Sequence, residues 1–271
     1  MTIVFDGKEF AGKKEKLLSY EVAKLQRDGI TPKLVSILVG NDSGSKLYLS
    51  LKKKAAERIG AILEIRSWKQ GAGYGSLMGE IRRLNKDKSV HGVMIQLPFP
   101  KIFTWDERQE IINTISPKKD VDGMRDDSQF VAPVVKAILQ SIEEAREVLN
   151  LDLDSKVFAV VGANGFVGNK IMKELRTMNY ELMGYDIDTK NLGGELVKAD
   201  IIISATGIPD LILGNMVKEG AVVIDVGSPK GDVEFSEVSK KASFITPVPG
   251  GVGPVTIVCL LENLIASASK K

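Results

Sequence analysis

The chain has 271 residues, of which 44% are hydrophobic and 27% are charged, as expected for a folded globular protein large enough for two small domains. Lys and Arg total 37 against 35 Asp and Glu, so there is no basic excess of the kind that nucleic-acid-binding surfaces carry. A single Cys and a single His exclude an internal disulfide and any Cys-rich or His-rich metal site. We also expect no segment apolar and long enough to span a membrane, and therefore a cytoplasmic protein.

Strand-like and helical patterns alternate along the chain. Short apolar runs predict strands at 34–39, 61–65, 92–97, 157–161, 181–185, 200–205 and 221–226. Helical periodicity lies around them, at 11–28, 45–59, 75–86, 106–115, 131–149, 167–178 and 211–218. Strands that alternate with helices form parallel sheets with helices on both faces. The sequence therefore predicts an α/β protein.

A polar segment around 118–128 separates the first three predicted strands from the last four and is typical of a loop between domains. We expect a first domain at 1–130 and a second at 131–254, with the C-terminal helix, 255–271, packing back against the first. The chain would then cross twice between the domains and leave a cleft, which is a common place for a ligand.

Three polar side chains follow the first of these strands, at the start of a predicted helix: Ser45, Tyr48 and Lys52. Tyr48 and Lys52 are four residues apart and therefore share one helix face. A tyrosine beside an amine can orient it, and a partly buried lysine can titrate nearer neutrality. The alternative is an exposed helix on which the tyrosine and the lysine pack against each other without a functional role.

Two more polar positions stand out in the first half. Gln96 lies near the end of an otherwise apolar strand, so its amide either is satisfied by backbone groups or faces a polar ligand. Asp122, together with Asp120, precedes Gly123 and either stabilises that loop or serves a ligand.

A glycine-rich turn connects the strand at 157–161 directly to a helix. Glycines let the backbone approach a pyrophosphate, and the N–H groups and dipole of a helix N-terminus favour its negative charge. The spacing is G-x-x-G-x-x-G rather than the commoner G-x-G-x-x-G. The residues of this candidate dinucleotide site are Gly162, Ala163, Asn164, Gly165, Phe166, Val167 and Gly168.

The next strand ends at Asp186, about 20 residues beyond the glycines, where an acid accepts from a ribose 2′-hydroxyl and repels a 2′-phosphate. No arginine lies in either loop to bind such a phosphate. The pattern favours NAD over NADP, with a plain turn residue as the alternative for Asp186.

Two later strands, at 200–205 and 221–226, also end in glycine-containing loops at the carboxyl edge of the sheet, where α/β proteins bind ligands. These loops contribute the candidate cofactor contacts Thr206, Gly207, Gly227 and Ser228. Ordinary turns between a strand and a helix would fit equally well.

The segment 247–254 has Pro or Gly at six of its eight positions and precedes an apolar helix. Its prolines stiffen the chain, and its glycines permit positive φ and remove Cβ atoms where a ligand could approach. A rigid surface turn is the alternative. We expect contacts to substrate or cofactor from Pro249, Gly250, Gly251, Gly253 and Thr256.

Four ordered motifs carry a resemblance to a known family. They are Val39-Gly40-Asn41-Asp42 with Ser45, Tyr48 and Lys52; the run from Gly92 to Pro100; Lys119 to Gly123; and Thr246 to Thr256. Over nearly its whole length the chain resembles the bifunctional methylenetetrahydrofolate dehydrogenase/methenyltetrahydrofolate cyclohydrolase family. The resemblance implies an N-terminal catalytic α/β domain, completed by the C-terminal helix, and a Rossmann-type dinucleotide-binding domain across a cleft, in a homodimer.

The resemblance also implies a reaction. Hydride would pass from 5,10-methylenetetrahydrofolate to NAD(P), and water would then open the methenyl product to 10-formyltetrahydrofolate. Lys52 would transfer the proton of the hydrolytic step, Gln96 would hold and tune Lys52, and Tyr48 would contact the folate. Asp122 would hydrogen-bond the pterin. Further substrate contacts implied by the motifs are Ser45, Leu97, Pro98, Pro249, Gly250, Gly251 and Thr256.

The chain departs from the family pattern at two places. Typical members carry Gly-Arg-Ser, which favours NADP, where this chain has Gly162-Ala163-Asn164. The usual Pro-Cys-Thr-Pro segment is replaced by Phe130-Val131-Ala132-Pro133. The first change strengthens the prediction of NAD, and the retained Lys52 argues that the hydrolytic activity is kept.

Two other functions stay open on the sequence. A two-domain dehydrogenase of another small metabolite, such as a shikimate-type enzyme, explains the dinucleotide site but not Gln96 in its motif. A catalytically silent folate- or nucleotide-binding protein is the second alternative, because the loops of the dinucleotide site are altered.

Overall fold

A computed structural model describes residues 1–68 and 73–270. The chain divides into two compact units. One contains Met1–Ala11 and Val134–Thr256 and is called the six-stranded unit, and the other contains Gly12–Pro133 and the chain from Ile257 onward and is called the three-stranded unit.

The elements alternate as expected for an α/β protein. The strands are β1 (Ile3–Val4), β2 (Lys33–Val39), β3 (Ile62–Trp68), β4 (Gly92–Gln96), β5 (Val157–Val161), β6 (Glu181–Tyr185), β7 (Ile201–Ser204), β8 (Val222–Asp225) and β9 (Phe244–Ile245). The helices are α1 (Gly7–Arg27), α2 (Ser43–Arg58), α3 (Tyr74–Lys86), α4 (Trp105–Thr114), α5 (Pro133–Leu149), α6 (Phe166–Thr177), α7 (Leu192–Leu196), α8 (Phe235–Val238) and α9 (Val252–Ser269).

Both sheets are parallel, which confirms the predicted fold class. The three-stranded sheet has the order β3-β2-β4, and the other has the order β1-β9-β8-β7-β5-β6. β2 and β4 are buried along almost their whole length because apolar side chains fill both of their faces. In a parallel sheet the carboxyl ends of all strands lie on the same side. The loops after β5, β7, β8 and β9 therefore leave the six-stranded sheet on one side, at the carboxyl ends of its strands.

The predicted strands are confirmed with ends shifted by at most three residues, and six of the predicted helices are found. The predicted helix at 211–218 is wrong: this stretch contains only a 3₁₀ turn at Gly214–Met216. Ile212 instead pairs with Val233 in an isolated parallel bridge, which draws the chain into an extended conformation before the turn. Gly214 and Asn215 are also weak helix formers.

The N-terminal segment lies elsewhere than expected. The sequence predicts residues 1–11 in the first domain, but they cluster with Val134–Thr256. The reason is that β1 pairs in parallel with β9 and forms the edge of the six-stranded sheet. The last residue of the predicted helix 255–271 lies outside the described residues.

The expectation that no segment has the length and apolarity of a membrane span is wrong for α9, which meets both criteria. Most of this helix is buried inside the protein, with Leu261 and Leu264 fully enclosed. Packing in the core therefore accounts for its apolar composition.

Candidate active site

The polar side chains predicted in the first half meet where α2 faces β4. Asp42 caps α2, because its side chain accepts from the backbone N–H of Ser45 over 2.6 Å. The cap sets where the helix begins and thereby aligns its buried face, which carries Ser45, Leu49 and Lys52. Tyr48 is half-buried beside them.

Lys52 is the central group of this cluster. Its side chain is only 6% exposed, and Nζ lies 3.1 Å from Oε1 of Gln96. Nζ also lies 3.9 Å from Sδ of Met94 and 5.3 Å from the centroid of the Tyr48 ring. A buried amine that donates to an amide oxygen and otherwise contacts a thioether and a ring is weakly compensated as a cation.

The orientation of Gln96 is set by the backbone at the end of β4. Its Nε2 donates to the carbonyl oxygen of Leu97 over 2.9 Å, which leaves Oε1 directed at Lys52. The hydroxyl of Ser45 donates to the same carbonyl over 3.1 Å. The amide of Gln96 is thus satisfied by backbone on one side, as in the first of the two alternatives, and its other side holds Lys52.

The electrostatics of the cluster favour proton transfer. Burial lowers the pKa of Lys52 from its usual value, and the charge of Asp122 opposes that shift. Burial raises the pKa of Tyr48, and the charge of Asp122 adds to the effect, so the phenol stays protonated. A lysine whose pKa is moved towards neutrality can both accept and return a proton.

Asp122 stands in a tightly packed loop. Asp120 is fully buried and accepts from the backbone N–H groups of Met124 and Arg125 over 3.1 and 2.9 Å. Gly123 has φ +61, and a Cβ there would lie 2.6 Å from the backbone nitrogen of Ala132. Only glycine fits this position, so the loop has a single path that leaves Asp122 half-buried near Lys52 and Tyr48.

The glycine-rich turn in the other unit is closely packed against the end of β6 and the start of α6. Gly162 has φ +82, and Gly162 and Ala163 both donate to the carbonyl oxygen of Tyr185. A Cβ on Gly168 would lie 1.9 Å from the carbonyl oxygen of Gly162, so α6 approaches the turn closely only because that position is glycine. The N-terminus of α6 follows immediately at Phe166.

Asp186 does more than end β6. Its Oδ2 accepts from the backbone N–H of Asn164 over 2.7 Å, and its Oδ1 accepts from Ile187 over 3.0 Å. The carboxylate therefore holds the glycine-rich turn and places a negative charge beside it. Asp186 also opens a turn, because its carbonyl oxygen accepts from the backbone N–H of Thr189 over 2.9 Å.

The other predicted loops follow β7, β8 and β9 in the same unit. Thr206 and Gly207 follow β7, and Gly227 and Ser228 follow β8. In the loop after β9, Gly250 has φ +113, which supports the predicted need for glycine. Gly253 and Thr256 lie in the first turns of α9, where the Thr256 hydroxyl donates to the carbonyl oxygen of Val252.

Met94 was missed by the sequence analysis. It is two residues from Gln96 on β4, so both side chains point to the same face of the sheet. That period-two spacing is a signal that could have placed Met94 beside Lys52.

The fold and these two clusters define an α/β protein with a Rossmann-type dinucleotide-binding unit and a separate polar site around a buried lysine. The family model described as tetrahydrofolate dehydrogenase/cyclohydrolase, catalytic domain, matches residues 5–122, and that described as the NAD(P)-binding domain of the same family matches residues 134–271. The chain belongs to the tetrahydrofolate dehydrogenase/cyclohydrolase family.

Individual members of this family are similar to the chain over nearly its whole length. The bifunctional protein FolD of Staphylococcus saprophyticus is 40% identical over 99% of this chain and 98% of its own. The crystal structure of bifunctional FolD from Campylobacter jejuni has a TM-score of 0.90 at 34% identity, covering 99% of both chains. A Trypanosoma brucei FolD, crystallised with NADP cofactor and an inhibitor, has a TM-score of 0.90 at 29% identity, covering 99% of this chain and 98% of its own.

Proposed function

We propose that this protein oxidises 5,10-methylenetetrahydrofolate with a nicotinamide dinucleotide and hydrolyses the methenyl product to 10-formyltetrahydrofolate. The observation that carries the proposal is the buried Lys52 amine, held by Gln96 in a family whose members are named for both activities. Family membership supports the folate substrate and the nicotinamide cofactor.

In the hydrolytic step, Lys52 acts as the proton carrier. As water forms a C–O bond to the methenyl carbon, Nζ accepts a proton, which its lowered pKa permits. The bond from that carbon to N5 then breaks, N5 receives one proton from Nζ, and the second proton of the water goes to solvent. Gln96 holds the amine in place throughout, because its Oε1 accepts from Nζ in both protonation states.

Tyr48 and Asp122 bind the substrate in this proposal. The Tyr48 phenol stays protonated and presents a ring and a hydroxyl donor to the folate. The Asp122 carboxylate accepts from the pterin, whose amino and ring N–H groups are donors. Ser45 contributes indirectly, through the Leu97 carbonyl that it shares with Gln96.

The residues at the end of the six-stranded sheet fit a dinucleotide. Gly162 and Gly168 are positions where backbone atoms occupy the space of a Cβ, which is the close packing that a pyrophosphate-binding turn needs. The turn and the N-terminus of α6 would hold the pyrophosphate, and the loops at Thr206 and Gly227 would line the nicotinamide half. When bound, the nicotinamide supplies the hydride acceptor for the oxidation.

Within this proposal the protein prefers NAD over NADP. The Asp186 carboxylate, fixed by Asn164 and Ile187, accepts from a ribose 2′-hydroxyl and repels a 2′-phosphate. Ala163 and Asn164 provide no cation at the turn. A cytoplasmic homodimer is a further prediction, and the dimer is tested by sedimentation of the purified protein.

The deciding experiment is to measure methylenetetrahydrofolate oxidation separately with NAD and NADP, together with hydrolysis of the methenyl compound. We expect both activities, with kcat/KM higher for NAD. Folate binding without turnover under either cofactor would instead support a silent binding protein. Oxidation of a different small metabolite, with no activity on folates, would support the other dehydrogenase.

A further inference from the structure

Two buried aspartates lie behind the loops of the proposed cofactor site. Asp225 ends β8 and is 3% exposed, and Asp232 follows seven residues later and is 0% exposed. Neither is assigned a role by the function proposed above. Buried carboxylates are costly unless several donors satisfy them, so the groups that donate to these two indicate what they do.

Asp232 holds the end of β7. Its Oδ2 accepts from the backbone N–H of Thr206 over 2.7 Å and from the hydroxyl of Ser204 over 3.0 Å. Oδ2 therefore fixes the first loop residues after β7 against the strand itself. The backbone of Asp232 is anchored in turn, because its carbonyl oxygen accepts from Ile212 over 3.0 Å.

Asp225 holds the loop after β8 and is linked to Asp232. Its Oδ1 accepts from the backbone N–H groups of Gly227 and Asp232, over 2.8 and 3.0 Å. Its Oδ2 accepts from the backbone N–H of Val233 over 3.0 Å. A Cβ on Gly227 would lie 2.6 Å from Asp232, so the two segments are in direct contact.

The network also reaches β9. The backbone N–H of Asp225 donates to the hydroxyl of Thr246 over 2.8 Å, and Thr246 is the residue before the loop at 247–254. Three consecutive strand ends are thus joined through two carboxylates and one hydroxyl, all buried. A carboxylate suits this task because it offers acceptor oxygens and no donor, and Asp225 uses both of its oxygens for backbone N–H groups. Asp232 uses Oδ2 alone, and its buried Oδ1 has no hydrogen-bond partner among the described residues.

We propose that Asp225 and Asp232 are positioning residues that fix the loops after β7 and β8 in the conformation that binds the nicotinamide dinucleotide. Neither touches the cofactor. Both act through backbone N–H groups, and their loss affects NAD and NADP alike, in contrast to Asp186. The inference rests on the proposed function only in naming the ligand.

The contacts of Asp232 predict different outcomes for two substitutions. Asp232→Ala leaves the Thr206 N–H and the Ser204 hydroxyl without an acceptor. Asp232→Asn can keep its amide oxygen at the position of Oδ2, and so can retain both bonds. The matched control is Asp154→Ala, which removes an exposed carboxylate in the same unit.

The test measures KM for NAD and for NADP in oxidation, and separately the hydrolysis of the methenyl compound, whose chemistry consumes no dinucleotide. We expect Asp232→Ala to raise both KM values on the order of tenfold, the effect of one or two hydrogen bonds, while hydrolysis stays within about twofold of wild type. Asp232→Asn and Asp154→Ala should stay near wild type. Unchanged KM values in Asp232→Ala, equal impairment of Asp232→Asn, or a parallel loss of hydrolysis would overturn the proposal.

Hydrogen exchange of the wild-type protein tests the same proposal without activity and without a variant that must fold. We expect the amides of Thr206 and Gly227 to exchange slowly although they lie in loops, because buried carboxylates accept from them. Exchange at the rate of the exposed amide of Gly207 would overturn the proposal. Absence of turnover in the wild type would refute the proposed function but leave this result standing.

Discussion

Nδ2 of Asn263 donates to the carbonyl oxygen of Val121, 142 residues earlier in the chain, over 2.9 Å. The same Nδ2 donates to the carbonyl oxygen of Val131, also over 2.9 Å. One turn later, Ser267 donates to the carbonyl oxygens of His91 and Lys118. The C-terminal helix therefore holds the backbone that carries Asp122.

The substitution Asn263→Leu should lower the free energy of unfolding by about 1–3 kcal/mol, because it leaves backbone carbonyls without their donor. Urea denaturation measures the change. Ser269→Ala is the matched control, since Ser269 is exposed on the same helix and bonds only to its own turn among the contacts described. Equal stabilities of the two variants would contradict the role assigned to Asn263.

Gly7 shows how the N-terminal segment supports the loop after β9. A Cβ on Gly7 would lie 1.9 Å from the carbonyl oxygen of Gly251. Gly7→Ala should therefore destabilise the protein by about 1–3 kcal/mol, the usual effect of overpacking. Gly12→Ala, in the same helix with nothing near the added methyl, should instead stabilise it by about 0.5–1 kcal/mol. Thermal unfolding measures both effects: Tm should fall for Gly7→Ala and rise for Gly12→Ala. A change of Tm in the same direction for both variants would be inconsistent with the packing.

The burial of Lys52 predicts a pH-dependent stability. Because the pKa of Lys52 is lower in the folded protein than in the unfolded chain, the folded state disfavours its charged form at neutral pH. Lys52→Met should raise the free energy of unfolding at pH 7 by about 0.5–2 kcal/mol. The gain should shrink as pH rises through the folded-state pKa towards the unfolded value, since the wild-type amine then loses its proton.

The control for this measurement is Lys53→Met, which removes an exposed lysine from the same helix. In urea denaturation between pH 6 and 10, the free energy of unfolding of Lys53→Met should differ from that of the wild type by a nearly constant amount. If the difference in free energy of unfolding between Lys52→Met and the wild type were equally independent of pH, this would contradict the lowered pKa of Lys52.

The preference for NAD can be tested without loosening the glycine-rich turn. Asp186→Asn keeps an acceptor for the Asn164 N–H, gives up the one for Ile187, and removes the charge that repels a 2′-phosphate. We expect kcat/KM with NADP to rise relative to NAD by about tenfold, which corresponds to roughly 1.4 kcal/mol. Asp188→Asn, exposed and two residues further on, is the control. An unchanged ratio of the two cofactors in Asp186→Asn would refute the assigned role.

Features that depend on local pattern could be predicted from the sequence. The buried strands β2, β4, β5, β7 and β8 were found because apolar runs between turns mark strands enclosed on both faces. Tyr48 and Lys52 could be placed on one helix face by spacing alone. The distance from Lys52 to Gln96 required the pairing of β2 with β4 and the packing of α2.

Features that depend on distant partners could not be predicted. β1 is only two residues long and becomes a strand by pairing with β9 across some 240 positions, as between Ile3 and Phe244. β9 is equally short and pairs with β1 on one side and β8 on the other. The side-chain bonds of Asp232 and Asn263 likewise join segments that are far apart in the chain, with no periodic signal in the sequence. The stretch at 211–218 was misjudged because the bridge from Ile212 to Val233 outweighs its helical pattern.

The most direct test of the account is to compare wild type, Lys52→Met and Lys53→Met in both reactions with purified protein. We expect the wild type to oxidise methylenetetrahydrofolate and to hydrolyse the methenyl compound, and Lys53→Met to match it in both reactions. Hydrolysis by Lys52→Met should fall by at least about 100-fold, the contribution of a positioned proton carrier. Hydrolysis by Lys52→Met at the wild-type rate would contradict it.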